Sequence, residues 1–426
     1  MNPKSLISYS LVWLAGIAAG CSKQHDSNGK TDGGAPVGAD MATDGGSMFQ
    51  TCITPTTPQS CTAPVNTDLP VCTLSLTGCM DPTNVTAFNS RAVYYEVNSP
   101  LWSDDAAKTR AFVLPAGGTI HVKNCAANAP AAEQAYCTSP GGIANGPADT
   151  GKWVFPVGTV MIKNFMFDGK LVETRLFMRV DSATADLIGN GTDWVGYNYA
   201  WNEAQTEATV TSGDRTAVTF NTGSRMVDWN YPSFRDCIGC HAAAVNTIGP
   251  ENDQMNRTVN GQNQIDTFVK MNLFDSSAPT APYTTALVEP YANAALGLTG
   301  PPVGATTEQA ARSYLSANCG FCHRPDVNDQ GFDLRNSLTL LETGICNLMQ
   351  TNGIPGMATQ SYVEFAPGMH AQSAIWIRMN TPVPASDPGE VDDVGRMPSA
   401  GSFVVDQQAT DLVASWIDSV ATCPTK

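Results

Sequence analysis

The most regular pattern along the chain is an alternation of apolar and polar residues between positions 88 and 225. In residues 171–180 (LVETRLFMRV), the apolar side chains fall on one face and charged ones, Arg175 among them, fall on the other. A period of two residues predicts a half-buried strand. Residues 158–165 and 92–97 show similar alternation, and Gly, Asn and Asp clusters separate the three segments. Residues 88–225 are therefore predicted to form an antiparallel, sandwich-like β domain.

The apolar spacing becomes helical towards the C-terminus. Thr306 and Gln309 have the spacing of a capping box, and the apolar face that follows them runs to Cys319. A shorter stripe around Phe268 predicts one short helix. Asp406 is placed to cap a last helix, whose apolar stripe comprises Ala409, Leu412, Val413, Trp416, Ile417 and Val420. The prediction is a multidomain chain in which mainly-α domains follow the mainly-β domain.

The N-terminus has the composition of a targeting segment followed by a linker. Lys4 precedes an apolar run that is too short for a comfortable membrane span, so residues 1–20 are predicted to be a signal peptide. Residues 21–50 are rich in Gly, Asp and Ser with little to bury, which predicts a flexible tether. Ala18-Ala19-Gly20-Cys21 resembles the lipobox of bacterial lipoproteins, although Ala18 stands where that family usually has Leu. The alternative is an ordinary signal peptide with a chance cysteine.

Lipidation at Cys21 would place the protein in the bacterial cell envelope, in the periplasm or anchored to the outer membrane. No later segment is apolar enough to cross a bilayer, so the predicted membrane contact is the lipid anchor alone. The net charge of −16 argues against nucleic acid as a partner, because phosphates would repel the chain. An acidic surface favours encounter with basic partners, or it serves solubility only.

The chain has 13 cysteines, of which eight remain after Cys21 and two CxxCH motifs are set aside. An even number in an exported chain predicts up to four disulfides. Several of these cysteines lie in a Cys-, Pro- and Thr-rich lead-in at residues 51–87. Spacing does not fix connectivity, but the locally plausible pairs are Cys52–Cys61, Cys72–Cys79, Cys125–Cys137 and Cys346–Cys423.

Two CxxCH motifs carry the candidate chemistry: Cys237-Ile-Gly-Cys240-His241 and Cys319-Gly-Phe-Cys322-His323. Two thiols three residues apart lie on one side of a helical turn and can form thioethers with the two vinyl groups of a haem. The following histidine then supplies an imidazole nitrogen to the iron. Zinc would need further ligands at suitable spacing, and a redox CxxC needs no histidine after it. The motifs therefore predict two covalently bound c-type haems.

Met397 is the predicted sixth iron ligand at the second motif. It lies in Gly395-Arg396-Met397-Pro398, before the last helix, where a Met-Pro loop covers the open haem face in small cytochromes c. The alternative is an ordinary loop methionine. For the first motif no such loop exists, and the sixth position is either open or taken by Met226, Met255, Met271 or His121.

Several segments beyond the motifs are also characteristic: SPLWSDDAAKTR (99–110), WVFPVGTVMIKNF (153–165), ETRLFMRV (173–180), YAWNEAQTEA (199–208) and ARSYLSANCGFCHRP (311–325). On these segments the sequence resembles a family of bacterial exported dihaem c-type cytochromes, over most of residues 90–422. The resemblance implies a first haem segment at residues 226–300 and a cytochrome c-like domain with the second haem at residues 301–426. It implies no role for the β domain, and residues 51–87 depart from it.

The favoured function is transfer of single electrons between redox partner proteins of the cell envelope. One alternative is a peroxidase-like oxidoreductase in which the first haem is open to a small molecule. Against it, the sequence shows no acid–base constellation beside the first motif. The other alternative is a surface binding protein that uses its β domain to hold a partner.

Overall fold

The computed structural model describes residues 52–61, 69–138, 146–188, 192–241, 245–328, 330–349, 362–382, 395–398 and 401–425. The predicted signal peptide, the tether and Cys21 lie outside these residues. Among the helices that are described, none is long and apolar enough to cross a membrane.

The strands of the described residues are β1 (Met80–Asp81), β2 (Asn84–Phe88), β3 (Val93–Tyr94), β4 (Ala107–Val113), β5 (His121–Val122), β6 (Trp153–Val154), β7 (Val160–Phe167), β8 (Lys170–Arg179), β9 (Trp194–Trp201), β10 (Ala208–Val210), β11 (Thr216–Asn221), β12 (Met226–Tyr231), β13 (Thr258–Val259), β14 (Gln262–Asn263), β15 (Ala292–Asn293) and β16 (Leu298–Thr299). The α-helices are α1 (Ala131–Gln134), α2 (Ser182–Ile188), α3 (Phe234–Cys240), α4 (Asn252–Met255), α5 (Gln264–Lys270), α6 (Thr307–Asn318), α7 (Ala374–Met379) and α8 (Gln407–Ser419). Short 3₁₀ helices lie at Leu74–Thr77, Pro147–Asp149 and His370–Gln372.

Six strands form a central antiparallel sheet in the order β10-β9-β8-β7-β4-β3. The strands predicted at residues 158–165 and 171–180 are confirmed as β7 and β8, whereas only Val93 and Tyr94 of the segment 92–97 are in a strand. Ile162, Leu176 and Tyr197 stand opposite one another on one face, which we call the outer face. All three are buried, so this face is not open to water.

The cysteine-rich lead-in covers the outer face. Cys61, Leu74 and Met80 of the lead-in belong to the same buried apolar cluster as Ile162 and Leu176. The lead-in therefore supplies the layer that a sheet with an apolar outer face requires. This gives residues 51–87 a structural role that the sequence did not indicate.

Four disulfides join described cysteines: Cys52–Cys72, Cys61–Cys79, Cys125–Cys137 and Cys346–Cys423. The last two pairs confirm the predictions, and the predicted pairs Cys52–Cys61 and Cys72–Cys79 are wrong. The reason is a parallel bridge between Ile53 and Val71, which brings the two segments side by side and leaves the Cα atoms of Cys52 and Cys72 5.0 Å apart.

The two longer C-terminal helices begin as predicted. Thr306 Oγ1 accepts the N–H of Gln309, whose side chain accepts the N–H of Thr306, so the capping box of α6 is confirmed. Asp406 caps α8 by accepting the N–H of Ala409 at 3.0 Å. Both helices bury their apolar faces in one cluster, in which Leu315 and Trp416 take part.

The predicted fold class is wrong. Over the described residues, the protein is mainly β-sheet with few helices, 25% strand against 20% helix, and these residues include no mainly-α cytochrome c-like domain. Residues 226–300 begin with β12, and their helices α3, α4 and α5 have only four to seven residues. Described non-helical backbone follows α6 and precedes α8. Gly, Pro and Asn interrupt the apolar stripes, so a helical spacing persists for only about two turns in most places. The sandwich is also not found: outside the central sheet, the described strands form two-stranded ribbons.

The segment 99–110 joins the sheet to the C-terminal part. Trp102 donates its backbone N–H to Asn318 Oδ1 at 2.7 Å and its indole N–H to the Val404 carbonyl at 2.9 Å. Asp104 accepts the backbone N–H groups of Phe403 and Val404 at 2.7 and 2.8 Å. These bonds span some of the longest sequence separations in the molecule, and they fix the end of α6 beside the sheet.

A buried ion cluster makes a second connection. Asp149 is fully buried, with its carboxylate 2.8 Å from Arg324, 3.1 Å from Arg335 and 3.4 Å from Lys123. Burial alone would raise the pKa of Asp149, but the neighbouring cations, Arg324 first, outweigh it and hold the pKa below its usual range. Because Arg324 directly follows His323, the cluster holds the second motif against the loop before β6.

We expect Asp149→Asn to lower the free energy of unfolding by about 3 kcal/mol, because it removes the carboxylate that three buried cations share and leaves only the two arginines with a second one, Asp326 and Asp333. Urea denaturation at neutral pH measures the effect. The control is Glu203→Gln, at an exposed position, for which the change should stay within about 0.5 kcal/mol. Equal stability of the two variants would show that Asp149 does not hold these parts together.

Candidate functional site

The first CxxCH motif lies on α3, which a capping box starts. Ser233 Oγ accepts the N–H of Asp236, and the Asp236 carboxylate accepts the N–H of Ser233 at 2.8 Å. Arg215 Nε donates to the same carboxylate at 3.0 Å. The helix then carries Cys237 and Cys240 on one turn and ends at the histidine of the motif.

α3 packs on the face of the sheet opposite to the lead-in, which we call the inner face. At Gly196 on β9, a Cβ atom would stand 3.4 Å from Cys237 Sγ and 3.5 Å from the Phe177 ring, so the cysteine packs closely over this glycine. Neither Cys237 nor Cys240 is disulfide-bonded. Burial raises the pKa of Cys237 to about 12 and that of Cys240 to about 11, which disfavours the thiolate that a redox CxxC uses.

His241 is held as a neutral imidazole with one nitrogen available. Its Nδ1 lies 2.6 Å from the backbone carbonyl oxygen of Asn246. A carbonyl only accepts hydrogen bonds, so Nδ1 carries the proton and Nε2 keeps its lone pair. Burial lowers the pKa of His241 to about 4, and the ring packs against Phe177 at a centroid distance of 4.1 Å. This is the arrangement that orients histidine ligands of metal ions in proteins.

A cavity that is open to solvent on one side adjoins this motif. The sheet provides one wall, and α3 provides the edge that carries the motif. Parts that follow much later in the chain complete the enclosure: Ala317, Phe321, Pro398 and Gly401. Phe321 lies between the two cysteines of the second motif, so residues of both motifs face the same space.

The wall of the cavity is more basic than the rest of the chain. Arg110, Lys163 and Arg175 line it, whereas Asp236 is the one acidic residue among its described lining residues. That carboxylate is already bonded to Ser233 and Arg215. A net charge of −16 over the whole sequence therefore coexists with a cationic interior.

The second motif follows α6 directly. A Cβ atom at Gly320 would stand 2.8 Å from the Ser316 carbonyl oxygen, so this close turn requires glycine. Cys319 has a free thiol, and burial raises its pKa to about 12.

His323 stacks on Phe332 at a centroid distance of 4.7 Å. Burial, followed by the charge of Arg378, lowers its pKa to about 4, so the ring is neutral. Its Nδ1 is buried and has no hydrogen-bond partner among the described residues. The orientation that Asn246 gives to His241 therefore has no counterpart here.

Met397 is half-buried in the short described segment before α8. Its N–H donates to the Arg378 carbonyl at 3.0 Å, and an Arg378 guanidinium N–H donates to the Gly395 carbonyl at 2.8 Å. Arg378 also acts electrostatically on His323, so this arginine links the Met397 segment to the second motif. The next residue, Pro398, lines the cavity of the first motif.

The other candidate ligands lie elsewhere. Both ring nitrogens of His121 are engaged, Nδ1 by Asp275 at 3.0 Å and Nε2 by Glu133 at 3.2 Å. Met255 is buried in an apolar cluster, and Met226 and Met271 are exposed. None of the four lines the cavity. Met161 on β7 does line it, and sequence analysis missed this methionine because it lies inside a strand.

Comparisons with known proteins give no relative. No family model, curated protein or solved structure matches the chain. Within the described residues, no group of three or more His, Cys, Asp and Glu side chains is placed to hold a metal ion. Each motif instead offers thiols and one imidazole, the donor set of a covalently attached haem.

We expect Asp236→Ala to destabilise α3 by about 1–2 kcal/mol, because it removes both the capping box and the Arg215 ion pair. Hydrogen exchange should then be faster at the amides of residues 237–241 and unchanged in α6. Asp214→Ala is the matched control, since Asp214 is exposed and precedes Arg215. Unchanged exchange in the Asp236 variant would mean that tertiary packing alone holds α3.

Proposed function

We propose that the protein is an exported dihaem c-type cytochrome that transfers single electrons between redox partners in the bacterial cell envelope. The observation that carries the proposal is the Nδ1 hydrogen bond of His241 to Asn246, beside two free thiols and a large cavity. At the first motif, the sequence and the local geometry both support a cofactor that takes two thioethers and one imidazole. The proposal concerns chemistry and does not depend on a cytochrome c fold.

Cys237 and Cys240 would hold the first haem by thioethers, and His241 Nε2 would ligate its iron. Cys319, Cys322, His323 and Met397 would serve the second haem in the same way, with Met397 as sixth ligand. When bound, each haem supplies an iron that alternates between ferric and ferrous states. The polypeptide keeps both histidines neutral through burial, and it orients the His241 ring through the Asn246 carbonyl.

Proximity of the two motifs supports electron transfer. Phe321, which belongs to the second motif, lines the cavity that adjoins Cys237 and His241. A haem held at Cys237 and Cys240 would therefore adjoin a residue of the second motif, which suits the passage of an electron between the two sites within a single chain.

The chemistry of the cavity favours electron transfer over a peroxidase-like reaction. Peroxide cleavage needs a free general acid or base beside the iron. Among the described lining residues the only carboxylate is Asp236, which its bonds to Ser233 and Arg215 occupy, and the only imidazole is His241 itself. The cavity thus holds cations and apolar groups in place of an acid–base pair.

The cellular setting of the proposal comes from the sequence. A signal peptide at residues 1–20 and a lipid on Cys21 would tether the protein to a membrane of the envelope. The four disulfides agree with an oxidising compartment. Redox proteins with basic docking surfaces are the proposed partners, because the chain carries a net charge of −16.

We expect protein matured in a bacterial periplasm with a c-type haem attachment system to carry two haems by intact mass spectrometry. Cys240→Ala and Cys322→Ala should each weaken or abolish one attachment, since one thioether anchor is gone. The double variant Cys125→Ser/Cys137→Ser removes a disulfide distant from both motifs and should keep two haems. Wild-type protein that matures without any haem mass refutes the proposed function.

Replacing Met397 with Ala should lower one of the two midpoint potentials by on the order of 100 mV, within the roughly 0.8 V that axial ligands span. A thioether ligand favours ferrous iron, so its loss stabilises the ferric state. The Met–iron absorption band should disappear in the same variant. Met369→Ala, at an exposed loop methionine, is the control. Potentials and spectrum that match this control would leave Met397 as a loop residue.

A further inference from the structure

Strand register brings basic side chains into one row on the inner face of the sheet. Arg110 on β4 stands opposite Lys163 on β7, and Lys163 stands opposite Arg175 on β8. Like charges directly opposite each other in a sheet are destabilising. Three of them in succession therefore call for a compensating group.

Among the described residues, only one member of the row has a carboxylate partner. Arg175 pairs with Glu173 through two bonds of 2.8 and 2.9 Å. No carboxylate of the described residues lies within ion-pair distance of Arg110 or Lys163. Glu96, the acid that acts on Arg110 from further away, is itself paired with Arg257 at 3.1 Å.

The repulsion within the row disfavours the charged form of Lys163. Burial, followed by the charges of Arg110, Lys108 and Arg175, holds the pKa of Lys163 well below its usual range. Burial also lowers the pKa of Arg110. Both side chains line the cavity, so a bound anion would reach them and relieve the repulsion.

We propose that Arg110 and Lys163 bind carboxylate groups, and that these are the two propionates of the haem attached at Cys237 and Cys240. The inference rests on the proposed function and adds to it the residues that receive the acidic edge of the cofactor. In a c-type haem the propionates lie on the edge opposite to the thioethers.

The sheet places the cysteines of the first motif and the basic residues at opposite ends of the cavity. Cys237 packs over Gly196 on β9, whereas Arg110 is on β4, three strands away in the order β9-β8-β7-β4. Three strand spacings amount to roughly 14 Å, a distance comparable with the span of a porphyrin between these edges. Between these ends, Met161 on β7 and Phe177 on β8 give the cavity an apolar lining beside Arg175.

The test is a redox titration of the two-haem protein as isolated, with haem content checked by mass spectrometry. Arg110→Gln and Lys163→Gln remove one charge each, and Lys163→Arg keeps the charge. Lys108→Gln is the matched control, because Lys108 lies two residues before Arg110 on the same face but does not line the cavity. Sodium acetate and inorganic phosphate at constant ionic strength probe for a free anion.

We expect each Gln variant to keep two haems and to shift the ferric-to-ferrous ratio of one haem three- to tenfold towards ferric, where tenfold corresponds to about 59 mV. Lys163→Arg and Lys108→Gln should titrate like wild type. Two attached haems with unchanged titration in both Gln variants would overturn the assignment and leave the proposed function standing. A saturable shift of the wild-type midpoint by acetate or phosphate, lost in Arg110→Gln, would overturn it in favour of a free anion site. Absence of haem would refute the proposed function itself.

Discussion

The structure depends on one constraint: a six-stranded antiparallel sheet has both of its faces withdrawn from water. Such sheets commonly leave one face to solvent, and here neither is left. The outer face is apolar, and the lead-in seals it with two disulfides. The inner face mixes aromatic rings with charges, and α3 and the residues after it cover it. The position of α3, of the cavity and of the C-terminal part follows from what this inner face can accept.

Features that short-range sequence encodes were predicted well. β7, β8 and the starts of α6 and α8 follow from alternation or capping within a dozen residues. The predicted fold class was wrong because the first CxxCH motif needs only one short helix, and the helical stripes around the motifs are too short to build an α domain. The disulfide pairing predicted within the lead-in was wrong for a related reason, since the Ile53–Val71 bridge and not the sequence spacing brings the partners together.

The candidate site divides in the same way. The six motif residues are visible in the sequence because their chemistry is contained in five consecutive positions. The basic row is not, since Arg110, Lys163 and Arg175 become neighbours only through strand register. The charged face of residues 171–180 was the available signal: a strand interpreted as half-exposed in fact directs Arg175 of that face into the cavity. Charged residues that alternate along a strand have the same sequence pattern whether their face is buried or exposed to solvent, so the sequence cannot tell the two cases apart.

The cavity is completed only by residues that come late in the chain. Its first wall is made by the sheet, its edge by α3, and its closing side by Pro398 and Gly401 near the end of the chain. Export and folding proceed from the N-terminus, so the cavity stays open on one side until Pro398 and Gly401 take their places. A covalent group placed on α3 during that interval would be enclosed afterwards by the docking of α8 and its preceding loop. Closure of the cavity would then depend on this group, because a chain without it would retain an unfilled interior and adjacent positive charges.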